Sequence, residues 1–421
     1  AFLLTRSSDL VVLFILLFLV TSVAAAKTVV LSPDVPLQKQ MTQPNVTYVL
    51  SSRHDLGGKT LALPVNCKLS VTNDGCICNG KVTGTLKNKQ VDIRWFGASA
   101  SDAKYNAEAI ENAARVCSQV VIPSETYVLS RSVRLQTQNL TLRGEGTSSQ
   151  LKVLSPMRVL DVLPQSVGLV VKGISFQGVG SKKEGSYLIY VGNNAARIKV
   201  LDCVFDGGTG GVLFDYECKY VEVTDCTFRN MVYIPGAGMA AGGNHAAGGA
   251  GSYGVVFQQR HDSSSMPGGR DGITYGKISG CLFESTIVRH AIYVQSSHHI
   301  QIVKNTIYGT PEMNDSQLMS DLLQTGLSDA QIRQMDERKH MTIADGSLNF
   351  RGSDDVLIKN NKVYSGIGFI RGTTDRLGKK GRGFVVKGNY IEHVKMPKTG
   401  MKVIDTSFAD GVTLSNNVIV P

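Results

Sequence analysis

The chain has 421 residues, of which 42% are hydrophobic, and its 44 Lys and Arg against 34 Asp and Glu leave a formal charge of +10. That length and apolar content exclude a disordered tail or a disulfide-held miniature, and the basic excess points to an acidic partner. Nucleic acid is the generic acidic partner, but no recognition motif for it is present, and no nucleotide, flavin or haem motif is present either.

At the start of the chain, Arg6 precedes an apolar run from Leu10 to Val20, and Ser22 to Ala26 supply small residues for cleavage. This is the layout of a secretory signal peptide over 1–26. The run is too short for a comfortable membrane span, so no stable span is expected after cleavage. Residues 27–90 read as the short strands and turns of an N-terminal β cap. In an exported chain, Cys67, Cys76 and Cys78 of this region are the best disulfide candidates. Next come a strand-like stretch over Val91–Ser99, a helix over Asn106–Val116 from the spacing of its Ala and Ile residues, and a strand over Val120–Val128. A helix here would cover the open end of a β-coil, whose unpaired strands otherwise invite other chains.

From Leu169 onward one eight-residue phrase recurs eight times: LVVKGISF, IKVLDCVF, VEVTDCTF, GKISGCLF, IQIVKNTI, VLIKNNKV, FVVKGNYI and VTLSNNVI. Where no insertion intervenes the copies lie 23–29 residues apart. Strand-like alternation at such a period is the signature of a solenoid whose rungs bury a core only by stacking. The sixth letter forms a column of Ile174, Cys203, Cys226, Cys281, Asn305, Asn361, Asn389 and Asn417. Stacked Asn side chains can bond one another and the turn backbone, and Cys at that site acts as a small buried hydrophobe, so stacked thiols are expected over disulfides. Two rungs carry long insertions, near 231–275 and 309–345, the first rich in Gly and Ala, the second with a helix signal capped by Ser328.

The segment WFGASASDAKYNAEAIENAA, followed by VVIPSETYVLS, resembles the entry to the pectate-lyase-like right-handed parallel β-helix superfamily. In that family a glycine-containing turn, a capping helix and a P-x-G-x-Y strand precede the coils. This chain has Ser124 and Glu125 where Pro-Lys-Gly is usual, and it lacks the common Gly-Asp-Gly. DLGGKTLALPVNCKLSV is similar to an N-terminal module of secreted Bacteroidetes β-helix proteins. The resemblance implies an all-β, right-handed parallel β-helix over 91–421, and leaves activity open among lyases, hydrolases, epimerases and non-catalytic spikes.

The strand before each phrase locates a candidate site. Aligning Tyr187–Val191, Gly211–Asp215, Gly254–Gln258, His290–Val294 and Ser347–Arg351 puts Leu188, Tyr190, Val212, Phe214, Val255, Phe257, Ala291, Tyr293, Leu348 and Phe350 inward. Asp215, Gln258, His290, Asn349 and Arg351 then face outward, with Arg371 beside them, as a polar strip flanked by the insertions.

A basic groove suits β-elimination of a uronate polysaccharide, which needs carboxylate neutralisers and a base. His290, Lys339 or His340 would be the base; Arg351, Arg371 and Arg289 would hold carboxylates, with Asn349, Gln258, Asp215 and His261 lining the strip. His298 and His299 align with a turn before a phrase, and no metal site is assigned to them; Ser353, Asp354 and Asp355 lack the companion motifs of polygalacturonases. Ca²⁺ dependence stays open. A glycoside hydrolase would need a carboxylate pair, with Asp215, Asp262, Asp271 and Asp405 as candidate members. A glycan-binding or spike protein would need only the groove. Secretion to the periplasm, cell surface or medium is expected in each case.

Overall fold

Each copy of the phrase is two strands joined by a two-residue corner. In the first copy the strands are Val167–Lys172 and Ser175–Gln177, with Gly173 and Ile174 turning between them. The fifth letter has positive φ in every copy: Gly173, Asp202, Asp225, Gly280, Lys304, Asn360, Gly388 and Asn416. Left-handed backbone costs least for Gly, Asn and Asp, which accounts for all of these but Lys304.

The computed structural model describes residues 27–179, 187–231, 233–234, 250–251, 253–259, 271–284, 290–308, 347–364, 368–375, 378–394 and 402–421. The signal-like segment 1–26, the Gly- and Ala-rich segment 235–249 and the helix signal after Ser328 lie outside them. Two compact units divide the chain, one ending at Asn88 and the other spanning Lys89–Pro421.

In the larger unit the first strands of successive copies form a twelve-stranded sheet and the second strands a ten-stranded sheet. One further strand per coil builds an eight-stranded sheet. Neighbours within these sheets run parallel, as in Ala196–Leu201 on Lys219–Thr224 and Gly210–Phe214 on Tyr253–Phe257. The result is the three-sided parallel solenoid that the repeats predict.

The interior is made of columns. Phe176, Phe205, Phe228 and Phe283 stack at 5.2, 4.8 and 4.8 Å. A Cβ at Gly211 or Gly254 would overlap Phe228 or Phe283, so these glycines make room for the rings. In the sixth-letter column, Asn305 Nδ2 donates to Asn361 Oδ1 (2.9 Å), Asn361 Nδ2 to Asn389 Oδ1 (3.0 Å) and Asn389 Nδ2 to Asn417 Oδ1 (2.8 Å). Each Oδ1 also accepts the backbone N–H of the preceding rung's column residue, starting from Cys281. Thiols and amides share a further task. Cys203, Cys226 and Cys281 Sγ donate to the carbonyls of Val171, Val200 and Val223, and the four Asn amides to those of Ile278, Ile302, Ile358 and Val386. These carbonyls occupy one position in successive phrases. The thiols are stacked and free, as expected, and burial pushes Cys203 and Cys226 well above the ordinary thiol range.

The helix Asn106–Val116 forms where the sequence predicts it, burying Ala107, Ala109, Ile110, Ala113 and Val116. It packs on the first coil's strands, Gln119–Val121, Thr126–Leu129 and Val133–Leu135, one from each sheet. Asn106 fixes its start, donating to the Ser99 and Val128 carbonyls and accepting from Ser99 N–H. The single strand expected over Val120–Val128 is instead two strands, because Pro123 and the following turn break it.

The smaller unit is coiled as well. Val46–Leu50, Arg53–Asp55 and Thr60–Ala62 pair in parallel with Lys68–Val71, Cys76–Cys78 and Lys81–Thr83. Cys67, Cys76 and Cys78, expected as disulfide candidates, are free thiols. A hydrogen bond from the Cys78 thiol lowers Cys76 to about 7 and raises Cys78.

Two measurements follow. Asn361→Ala orphans the Asn305 amides in the buried column, and should cost about 2–5 kcal/mol of unfolding free energy in a denaturant titration. Iodoacetamide should label Cys76 with a rate that rises through a midpoint near about 7, and Cys78→Ala should move that midpoint upward. Cys203 and Cys226 should label only on unfolding.

Candidate functional site

The outer face of the eight-stranded sheet holds the predicted strip, with a different register from the one expected. Tyr187 pairs with Gly210, Gly210 with Tyr253 and Tyr253 with His290, so the strands beginning at Tyr187 and His290 are shifted by one residue from the sequence alignment. The inward set is therefore Ile189, Val191, Val212, Phe214, Val255, Phe257, Ile292, Val294, Leu348 and Phe350, all fully buried. Tyr190 and Tyr293, expected in the core, face outward. Tyr can be mistaken for Phe in such a strand, since both are aromatic and only the hydroxyl separates them.

One outward row runs across the sheet through Arg134, Asp161, Tyr190, Leu213, Val256, Tyr293, Asn349 and Arg371. Leu213 and Val256 are buried despite facing out, because Tyr187, Tyr190, Tyr253 and Tyr293 pack around them. Glycine at 210 permits this, as a Cβ there would overlap the Tyr187 ring. At the start of the strands, His290 lies against Tyr253 and Tyr293, with ring centroids 5.8 and 5.4 Å away, and is 2% exposed.

A second row, two residues further along the strands, holds Asp215, Gln258, Gln295 and Arg351. Asp215, Gln258 and Arg351 are thus together as expected, and Asn349 adjoins Arg371 in the first row. His290 does not adjoin Arg351. Arg351 pairs with Gln295, five residues beyond His290, which separates them by about 16 Å along the strand. Tyr293 lies between, and the sequence alignment missed both it and Gln295. Arg289, His261, Lys339 and His340 lie outside the described residues.

The two ends of the face differ in chemistry. On one side Tyr190 Oη donates to Asp215 Oδ2 at 2.6 Å, and the Arg158 guanidinium lies 3.4 Å from the Tyr190 ring centroid while pairing with Asp161 at 2.6 Å. Burial first, and then the bond to Asp215, push the Tyr190 hydroxyl up. On the other side are Arg351 and Arg371, and Arg351 Nε is a buried donor with no hydrogen-bond partner among the described residues. Such a donor is costly unless water or a ligand meets it. Among the described residues no group of three His, Cys, Asp or Glu is arranged to hold a metal ion.

Residues 250–420 match the family model described as a right handed beta helix region. With the three parallel sheets, this decides the class. The chain is a right-handed parallel β-helix protein. The β-helix is structurally similar to the surface adhesin PfbA of Streptococcus pneumoniae, at 12% identity and a TM-score of 0.50 over 78% of each chain. It is also similar to a DFA-IIIase of Arthrobacter chlorophenolicus, at 11% identity and 0.45, covering 78% of this chain and 76% of that one. For an α-1,3-glucanase catalytic unit of Streptomyces thermodiastaticus the values are 12% and 0.42, over 80% and 68%. No curated protein matches the sequence. At these identities the likeness concerns the β-helix fold alone. No helix among the described residues is long and apolar enough to cross a membrane.

Asp215→Ala should leave the Tyr190 hydroxyl without its acceptor and cost about 1–3 kcal/mol of stability. Because Asp215 helps hold the phenol protonated, the variant's tyrosinate absorbance should also rise at lower pH than in the wild type. An unchanged ultraviolet titration would contradict that link.

Proposed function

We propose that this β-helix protein is an exported polysaccharide lyase that cleaves a uronate-containing glycan by β-elimination on the outer face of the eight-stranded sheet. The observation that carries the reading is the row of Tyr293, Asn349 and Arg371 on three successive strands, with Arg351, whose buried Nε has no partner among the described residues, in the adjoining row. Elimination requires the carboxylate beside the C5 proton to be neutralised before a base can remove that proton. A guanidinium meets a carboxylate through two parallel hydrogen bonds, which suits Arg371 with Asn349 beside it. Tyr293, as the tyrosinate, then accepts the C5 proton, and the phenol so formed donates that proton to the glycosidic oxygen as the C4–O bond breaks, which regenerates the tyrosinate. The C–H electron pair becomes the C4–C5 double bond, so atoms and charge balance without a co-reactant.

His290 is buried against Tyr293 and acts as a positioning residue for that phenol. Arg351 and Gln258 hold the carboxylates and hydroxyls of neighbouring sugar units, and Asp215 with Tyr190 forms the wall at the other end. Arg289, His261, Lys339 and His340 belong to segments that begin or end at strands of this face, and they remain proposed contributors. The formal charge of +10 supports an acidic substrate, and the signal-like layout of 1–26 supports export.

Two other readings compete. Hydrolysis needs a free carboxylate pair, whereas Asp161 and Asp215 on this face are already engaged by Arg158 and Tyr190. Binding without turnover needs only the polar face and no base.

Incubation with polygalacturonate, alginate and glycosaminoglycans, with and without Ca²⁺, should produce the ultraviolet absorbance of an unsaturated uronate. Tyr293→Phe should lower kcat by about 10²-fold or more, and Arg371→Ala by about 10²–10³-fold. New reducing ends without absorbance would replace elimination by hydrolysis. Saturable binding with neither signal would leave binding without turnover.

A further inference from the structure

We propose that the outer face of the twelve-stranded sheet carries a second, non-catalytic site that binds a neutral glycan. Its wall is Tyr220, Tyr275 and His299, and its floor is Lys277, Gln301 and Leu357. The three rings stack in near-parallel planes, 4.9 Å from Tyr220 to Tyr275 and 4.7 Å from Tyr275 to His299. Tyr275 and His299 border a concavity of ≈ 460 Å³, within the range that holds small ligands, and Tyr220 extends the ring stack to one side of it. Tyr220 is 56% exposed and Tyr275 47%.

Backbone strain marks the stack as more than surface decoration. Tyr220, Tyr275 and His299 have φ of 56°, 62° and 58°, in a column that elsewhere holds Asn139, Gly168, Arg197, Asp355, Gly383 and Gly411. Strand pairing skips this column: Lys219, Thr274 and His298 are in register, then Val221, Gly276 and Ile300. A bulge with left-handed backbone suits glycine, and a bulky residue there is strained. Three successive rungs accept that strain and present aromatic rings to solvent, the kind of outlier from which a functional role is inferred.

The lining identifies the ligand class. Lys277 Nζ is held by Glu222 at 3.0 Å, and His299 Nδ1 lies 3.4 Å from Asp355. Lys277 thus has its counter-charge within the protein, in Glu222, which Lys199 also approaches at 3.2 Å. What the groove offers a ligand is ring edges, the Tyr275 phenol, the Gln301 amide and the apolar Leu357 side chain, with the Tyr220 phenol next along the stack. Neither phenol is engaged by another described residue. Hydroxyl-rich, uncharged sugar units fit that mixture, and the rung repeat is close to the length of one pyranose, so a chain along the groove meets the wall in step.

Calorimetry with neutral oligosaccharides of the cello-, manno-, xylo- and laminari-series, and with oligogalacturonate as the acidic control, tests the site. Because binding is read without turnover, the outcome is independent of the elimination chemistry. At least one neutral series should bind, and the triple variant Tyr220→Gly, Tyr275→Gly, His299→Gly should weaken it tenfold or more. Glycine relieves the strain at these φ values, so the melting temperature of the variant should not fall. If it does fall, Gln301→Ala on the floor provides the test, with weaker binding expected at an unchanged melting temperature. Binding of oligogalacturonate alone, no binding by the wild type, or undiminished binding by the triple variant and by Gln301→Ala would each overturn the proposal.

Discussion

The structure depends on how each coil closes its corner between the first and second strands of the phrase. A corner that turns within two residues breaks the ladder, and one backbone carbonyl of each rung must find a donor inside the core. A thiol or an amide from the following rung supplies it, from Cys203 on Val171 to Asn417 on Val386. An orphaned buried carbonyl costs more than a net hydrogen bond returns, and from Cys203 onward every phrase keeps a small side chain with a donor at the sixth letter, whereas Ile174 in the first phrase has none. The tight reversal demands left-handed backbone one residue earlier, which restricts the fifth.

With that corner fixed, the third side of the coil is comparatively free. Segments 235–249 and 309–346 enter where the chain passes from the ten-stranded sheet to the eight-stranded one, whose far corner is held by Ser297 and Ser353. That sheet's outer face can therefore hold tyrosines, arginines and a carboxylate without disturbing the corner. Loops and rows borne on a rigid scaffold are where binding and catalytic groups accumulate. Parallel register then converts one residue per coil into a row about 4.8 Å per step, which brings Tyr293, Asn349 and Arg371 together from well-separated parts of the sequence.

What could be read from the sequence follows the same division. The Asn column was legible because one requirement repeats the same letters, and the helix over Asn106–Val116 because its small apolar residues recur at helical spacing. The fifth-letter column was present in the same phrase as Gly, Asp, Lys or Asn, and its left-handed backbone emerged only with the coordinates. The third strand lacks a repeated phrase, so nothing anchored its alignment, and a shift of one residue put Tyr190 and Tyr293 in the core in place of Ile189 and Ile292, although Leu188 and Ala291 are buried as expected. A contrast between Phe and Tyr would have corrected it: inward positions hold Phe214, Phe257 and Phe350, while Tyr190 and Tyr293 need somewhere for a hydroxyl. In the smaller unit no phrase recurs between its two coils, and their pairing was not legible.

The two left-handed columns also separate structural from functional constraint. At the corner, where all of the fifth-letter residues but Gly173 are exposed, Gly, Asn and Asp occupy seven of eight positions, as expected where backbone cost decides. On the exposed bulge of the twelve-stranded sheet the same backbone conformation carries Arg197, Tyr220, Tyr275 and His299 in successive coils, then returns to Asp355 and Gly383. Stability alone would favour small residues at both columns, since neither conformation changes from coil to coil. The bulky residues are confined to four consecutive rungs, in three of which rings stack on one another, with Tyr275 and His299 bordering one groove. A constraint that acts on a surface patch, and not on the coil, accounts for that confinement.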